Sequence, residues 1–230
     1  MRTAKLLASL LAASPMLALT PVQAGIVSLS GAAVQIAAPG SVVPNAGFES
    51  FTTAAVFGEQ QNVALSQTAQ VDATTAGFFD AVSDLTPGSL AAGTLVSSYY
   101  LHADPVGSSS TLYTYIGSIT FDADILGVDA LNAQLLSTNF LGVSGTTYPG
   151  SAAVNGLDFA EGTDSFTISG DRRTLSFTLV AYAGADALRV ITAGDAPLAV
   201  PEPGALGLVI AALGALALTR RRRRTAGLMS

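Results

Sequence analysis

No cysteine and no tryptophan occur among the 230 residues, and histidine appears once, as His102. The missing cysteines exclude a disulfide-stapled scaffold, a thiolate metal site and a cysteine nucleophile. The missing tryptophans remove the ring best suited to stacking against a sugar. Basic residues are scarce and badly distributed. Of the 10, Arg2 and Lys5 stand at the N-terminus, while Arg220, Arg221, Arg222, Arg223 and Arg224 form one block near the other end. Between Gly25 and Ala199 only Arg172, Arg173 and Arg189 remain, against 15 of the 16 acids, so this stretch carries −12 where the whole chain carries −6. Three cations cannot neutralise a run of phosphates, which argues against nucleic acid as a partner.

What is present begins with two apolar runs, one at each end. Arg2 and Lys5 precede the run Leu6 to Leu19, and Val22-Gln23-Ala24 has the small-x-small form of a signal peptidase site. The pattern predicts a cleaved signal helix over 1–24, export through the Sec translocon and a mature chain starting at Gly25 after Ala24; a buried N-terminal helix is the alternative. The second run, Gly204 to Leu218, holds no charge and leads through Thr219 into the five arginines. Its fifteen residues make a helix of about 22 Å, against a hydrocarbon core of ~30 Å. Snorkelling arginine stems and local thinning of the bilayer narrow that gap. The expectation is a single transmembrane helix over 204–219 with an Arg-rich cytoplasmic tail over 220–230, the body lying outside. A helix in a soluble core is the alternative, and the abutting arginines speak against it.

Between body and run stands Val200-Pro201-Glu202-Pro203, in a linker of residues 196–203. Two prolines around one residue forbid regular helix and favour an extended, solvated segment. The motif, the short apolar run and the arginine cluster, in that order, resemble the PEP-CTERM sorting signal of Gram-negative bacteria. The resemblance spans Val200 to Ser230. It implies recognition by exosortase, a membrane-embedded cysteine protease-like transpeptidase, transient residence in the inner membrane, and sorting to the cell surface or an extracellular polysaccharide matrix. It implies nothing specific about the body, since such ectodomains vary widely.

The body reads as all-β. Thr94 to His102, Thr111 to Phe121, Ser165 to Ser169, Arg173 to Tyr182 and Ala187 to Thr192 have strand composition or period-2 alternation, with Ala54 to Phe57, Val63 to Leu65 and Ala69 to Val71 weaker. Gly117 suggests a bulge, and Gly170-Asp171 a tight hairpin with positive φ at the glycine. Only Ala130 to Leu136 suggests helix, a turn or two. These signals predict an antiparallel, jelly-roll-like β-sandwich ectodomain, with a core sandwich over 93–195 and an Ala/Thr/Val/Gln-rich part over 25–92 that is strand-bearing or partly disordered. The segments GTLVSSYYLHADPVG, GSITFDADILGV and ALRVIT also resemble an ectodomain type found with PEP-CTERM tails, to which no activity is attached.

Candidate chemistry in the body is sparse. His102-Ala103-Asp104 with Ser97 or Ser98 nearby invites a triad, yet no G-x-S-x-G elbow exists, and a structural histidine at a strand end is the simpler reading. Asp122, Asp124 and Asp129 are the nearest approach to a metal loop but miss the EF-hand template, with Leu126 and Ala133 at ligand positions. Asp158, Glu161 and Asp164 cluster in a glycine-containing loop. Either set offers hard oxygens for a structural Ca²⁺, and solvated turn acids explain both equally. A glycosidase needs two carboxylates on one cleft, which a sequence does not display. Tyr99, Tyr100, Tyr113 and Tyr115 cluster, and strand alternation predicts half of them in the core and half facing solvent, where glycan contact becomes possible. No phosphate-binding loop occurs. The chain therefore reads as a sorted, non-catalytic surface or matrix protein without a resident cofactor, with a glycan-binding module and then a secreted hydrolase as competing readings.

Overall fold

In the computed structural model the described residues are 25–107, 111–150, 155–159, 164–182 and 184–195. The signal segment, Glu161 and the whole tail, including the sorting motif, lie outside them. Along the chain the strands are β1 (Ile26–Gly31), β2 (Ala33–Gln35), β3 (Val42–Val43), β4 (Ala46–Gly47), β5 (Ala54–Gly58), β6 (Val63–Ala64), β7 (Ala69–Val71), β8 (Gly77–Phe79), β9 (Gly88–Leu90), β10 (Leu95–Ala103), β11 (Tyr113–Phe121) and β12 (Ile125–Asp129). One short helix, α1 (Asn132–Ser137), follows, then β13 (Ser165–Ile168), β14 (Thr174–Ala181) and β15 (Asp186–Ala193). The five strands with the strongest sequence signals all form, within two residues of the expected bounds.

Two sheets result. The first has the order β1-β11-β14-β13-β8 and the second β12-β15-β10-β5-β2, with β6 also on β10. Pairing is antiparallel except between β2 and β5, which run parallel. The alternation Leu175, Phe177, Leu179 on β14 and Tyr115, Ile119, Phe121 on β11 points one face of the first sheet at Tyr99, Leu101, Leu188 and Val190 of the second, and these buried side chains form one core. Tyr99 meets Phe121 across the gap, ring centroids 4.8 Å apart. Each such aliphatic or aromatic side chain contributes about 1.5–3 kcal/mol by leaving water.

The second sheet is covered on its other face as well. Phe57, Tyr100 and Ala187 pack there against Val42 and Leu135, and Val96 and Ile191 against Leu65, Val71 and Leu141. That cover explains a departure from the sequence expectation. Tyr99, Tyr100 and Tyr115 are all buried, and Tyr113 is half-buried, stacked on Phe51 at 4.7 Å. Alternation gives an exposed face only where a sheet has one, and β10 has none.

Three further local details differ from expectation or refine it. Residues 25–92 are part of the same structure, supplying β1 and β8 to the first sheet and β2 and β5 to the second. Gly117 pairs in register with Phe177, without a bulge, and a Cβ there would stand 2.8 Å from the Phe177 ring. The irregularity falls instead between Ile26 and Ser28. In the β13–β14 turn the positive φ belongs to Arg172, at 59°, not to Gly170. The Arg172 guanidinium holds the Ile125 carbonyl at 2.6 and 3.0 Å, which offsets the left-handed backbone. Where β1 crosses to β2, Gly31 has φ 63° and lies against the Ile116 carbonyl, so no side chain fits.

The start of α1 is served from a distance. Its flanking residue Leu131 offers no side-chain cap, and Asp72 instead accepts the Ala130 and Leu131 amides at 2.8 and 2.7 Å. Burial pushes the Asp72 carboxyl above its ordinary value, only partly opposed by these amides, so its net contribution is modest. Asp72→Ala is expected to cost about 1 kcal/mol, read as a lower urea midpoint at unchanged slope.

Candidate functional site

The histidine triad does not assemble. His102 lies on β10 and is fully buried, and neither ring nitrogen has a hydrogen-bond partner among the described residues. Its Nε2 is 3.7 Å from Asp104 Oδ2, beyond hydrogen-bond length. Asp104 spends that oxygen on the Asn45 amide at 2.8 Å. The serines are engaged elsewhere: Ser97 Oγ accepts the Asn62 amide at 3.0 Å, and Ser98 Oγ donates to Glu59 Oε2. Ser98 shares a face with His102, but four residues along a strand separate them by about 13 Å.

The acids of the 122–129 segment diverge. Asp122 accepts the Gly25 amide at 2.7 Å, so the body is pinned at the residue where the mature chain is expected to begin. Asp124 faces Arg173 at 3.3 Å, both half-exposed. Asp129 is fully buried on the far side of the second sheet, accepting the Thr138 hydroxyl at 2.5 Å. Burial pushes its carboxyl up to about 7, against the opposing pull of Thr138 and Arg189. In the second group, Asp164 is buried and accepts the Val180 and Asp158 amides, both at 2.8 Å, while Asp158 is exposed. Among the described residues no three acids or histidines are disposed to hold a metal ion.

Two clusters escaped the sequence reading. In the first, Arg189 of β15, fully buried, grips Glu59 through Nε to Oε2 at 2.8 Å and Nη2 to Oε1 at 2.9 Å. It also donates to the Leu135 carbonyl at 2.8 Å and Thr138 at 2.6 Å, and its guanidinium lies 5.2 Å from the Tyr100 ring centroid and 5.5 Å from that of Tyr148. Burial would depress the Arg189 pKa, but the Glu59 charge and hydrogen bonds outweigh it and keep the guanidinium protonated. A lone arginine inside the apolar strand ALRVIT was the available signal. In the second cluster Asp186 is buried with its Oδ2 unpaired. Burial first, then the charges of Asp164, Asp158 and Asp104, push its carboxyl well above the usual range. The groups that define both clusters, Arg189, Glu59 and Asp186, are buried.

A concavity among the described residues lies on the outward face of the first sheet. It is a shallow cleft of about 370 Å³ whose lining includes Ser30, Phe78, Ile116, Ser118, Ser176 and Thr178, with no charged residue. None of Tyr99, Tyr100, Tyr113 and Tyr115, the tyrosines that cluster in the sequence, lines it.

The described residues thus define a β domain built on two main sheets, with the Arg189–Glu59 pair and Asp186 buried and an uncharged cleft on the first sheet. Residues 199–224 match the family model of the PEP-CTERM protein-sorting motif, so the chain carries that sorting motif. The motif implies export and exosortase-mediated sorting to the surface or exterior of a Gram-negative cell. No curated protein and no solved structure gives a significant match to the chain.

Proposed function

We propose that the protein is a non-catalytic structural component of the cell surface or of an extracellular polysaccharide matrix, delivered there by its tail. The observation that carries this reading is the ordered tail, Val200-Pro201-Glu202-Pro203, the apolar run and Arg220 to Arg224, coinciding with the matched motif. The apolar run stalls in the inner membrane, the arginines hold it on the cytoplasmic side, and the proline-bracketed segment is presented to exosortase. Sec export precedes this step, with cleavage between Ala24 and Gly25. A body of net −12 between Gly25 and Ala199 suits solubility outside the cell.

Replacing Pro201, Glu202 and Pro203 together by alanine is expected to trap the precursor in the inner membrane. Fractionation and immunoblotting in a host with active exosortase check this. Unchanged release or display would sink the sorting claim.

A second reading, binding of matrix glycan by the body, is favoured by the uncharged cleft on the first sheet. A histidine-dependent hydrolase has little to support it, because His102 is fully buried and engages neither serine.

A further inference from the structure

The strand register builds more than a cleft. It sets Ser30 beside Ser118, Ser118 beside Ser176, Ser176 beside Thr167, and Thr167 beside Phe78. Hydroxyls from four strands and a ring from the fifth therefore form one row across the whole sheet, perpendicular to the chains. At ~4.8 Å between neighbouring strands the row is about 19 Å long. A second row, Ile116, Thr178 and Ser165, runs beside it. On one strand the rows are two residues apart, or about 7 Å.

We propose that this face binds an extended, neutral polysaccharide lying along the Ser30–Phe78 row. The inference rests on the reading of the protein as a matrix component and names the ligand class its body would hold. Each hydroxyl donates one hydrogen bond and accepts two, the same capacity a sugar hydroxyl has. Ser30 and Ser118 bond each other at 2.8 Å, which orients them and leaves acceptor capacity for a ligand. Phe78 and Ile116, 59 % and 63 % exposed, offer apolar surface to the C–H face of a pyranose ring. The hydroxyls and apolar groups together supply the few convergent polar atoms and the hydrophobic contact that small-molecule sites use.

Charge selects the polymer. The lining carries no cation to meet a uronate or sulfate, and the body around it is strongly acidic, so an anionic chain is repelled without compensation. A second copy of this face is a poorer occupant. Two exposed apolar side chains fall short of the apolar centre of a stable dimer, which needs ~800 Å² from each partner, and no charge pair fixes the register.

The full chain, purified in detergent, is tested by affinity electrophoresis in gels containing hydroxyethyl cellulose, laminarin or glucomannan, with alginate as the anionic polymer. Retardation by at least one neutral polymer and none by alginate is expected. Phe78→Ala and the pair Ser118→Ala with Ser176→Ala should each weaken it by about tenfold. Tyr182→Ala, at an exposed position outside the cleft, should leave it unchanged. Thermal unfolding of each variant establishes that it is folded. No retardation by any neutral polymer, equal retardation by alginate, or unaltered binding by the folded variants overturns the proposal. So does sedimentation showing a dimer that Phe78→Ala dissociates. The sorting assay is separate: normal sorting without binding removes the ligand alone, and failed sorting with binding intact removes only the delivery.

Discussion

Arg189→Met is expected to remove about 3–5 kcal/mol of stability, the cost of leaving a buried charge without its partner. The partner is Glu59, 7 % exposed, which would keep the Ser98 and Tyr148 hydroxyls on its carboxylate but no cation. Three further acceptors lose their donor in the same step: the Leu135 carbonyl, Thr138 and Asn139. A domain with ~5–15 kcal/mol in total would lose about a fifth of it or more. The double variant, Arg189→Met with Glu59→Gln, is expected to recover most of the loss, because an ion pair replaced on both sides no longer strands a charge. Urea denaturation of the two single variants and the double closes the cycle. A loss below about 1 kcal/mol in Arg189→Met would mean that water or a shifted side chain reaches Glu59.

The second large effect is in pH. Asp186 and Asp129 both have carboxyls raised by burial above the ordinary carboxylate range, Asp129 to about 7. A folded state that holds its protons more tightly than the unfolded chain is favoured by acid. The contribution is therefore full below about pH 4 and is lost as pH climbs through neutrality. Melting temperature should fall between pH 5 and pH 8, where salt-bridged carboxylates would make it rise or hold level. For Asp186 the cause is specific, since Asp164, Asp158 and Asp104 all face it with the same charge. Asp186→Asn should add about 1–3 kcal/mol at pH 8, flatten the profile and change little near pH 4. Calorimetry from pH 4 to 9 decides it. A wild-type profile rising steadily to pH 8, or a variant running parallel to wild type, would count against the cluster as the source.

How much of this was legible in the chain depends on distance along it. The strand Leu95–Ala103 and the hairpin from Ser165 to Ala181 follow from local composition and alternation, and so were readable. The parallel β2–β5 pair was not, because nothing in Ala33–Gln35 distinguishes a parallel edge from an antiparallel one. Asp122, Asp124 and Asp129 are neighbours in sequence, but strand geometry sends them to Gly25, Arg173 and Thr138. Glu59 and Arg189 are 130 residues apart, and only folding brings them together. The hydroxyl row is intermediate. Ser176 and Thr178 are visible as the polar phase of β14, yet their partner Ser30 is joined through Ser118, 88 residues away from it. The tail needed no folding to be read, since a sorting signal acts as linear sequence.

The placement of β15 sets the order in which the body can be completed. It is the last strand among the described residues and the one between β12 and β10 in the second sheet. A chain crossing a membrane N-terminus first delivers β5 and β10 early, and β12 then has only the bridge from Val128 to Ala73. That sheet closes only when Asp186–Ala193 emerges, a few residues before the sorting motif. Arg189 arrives on that strand, so until then Glu59 lacks the cation that balances its charge. Completion of the fold is thereby timed to the arrival of the address label, and a truncated export product would lack the one strand that joins its second sheet.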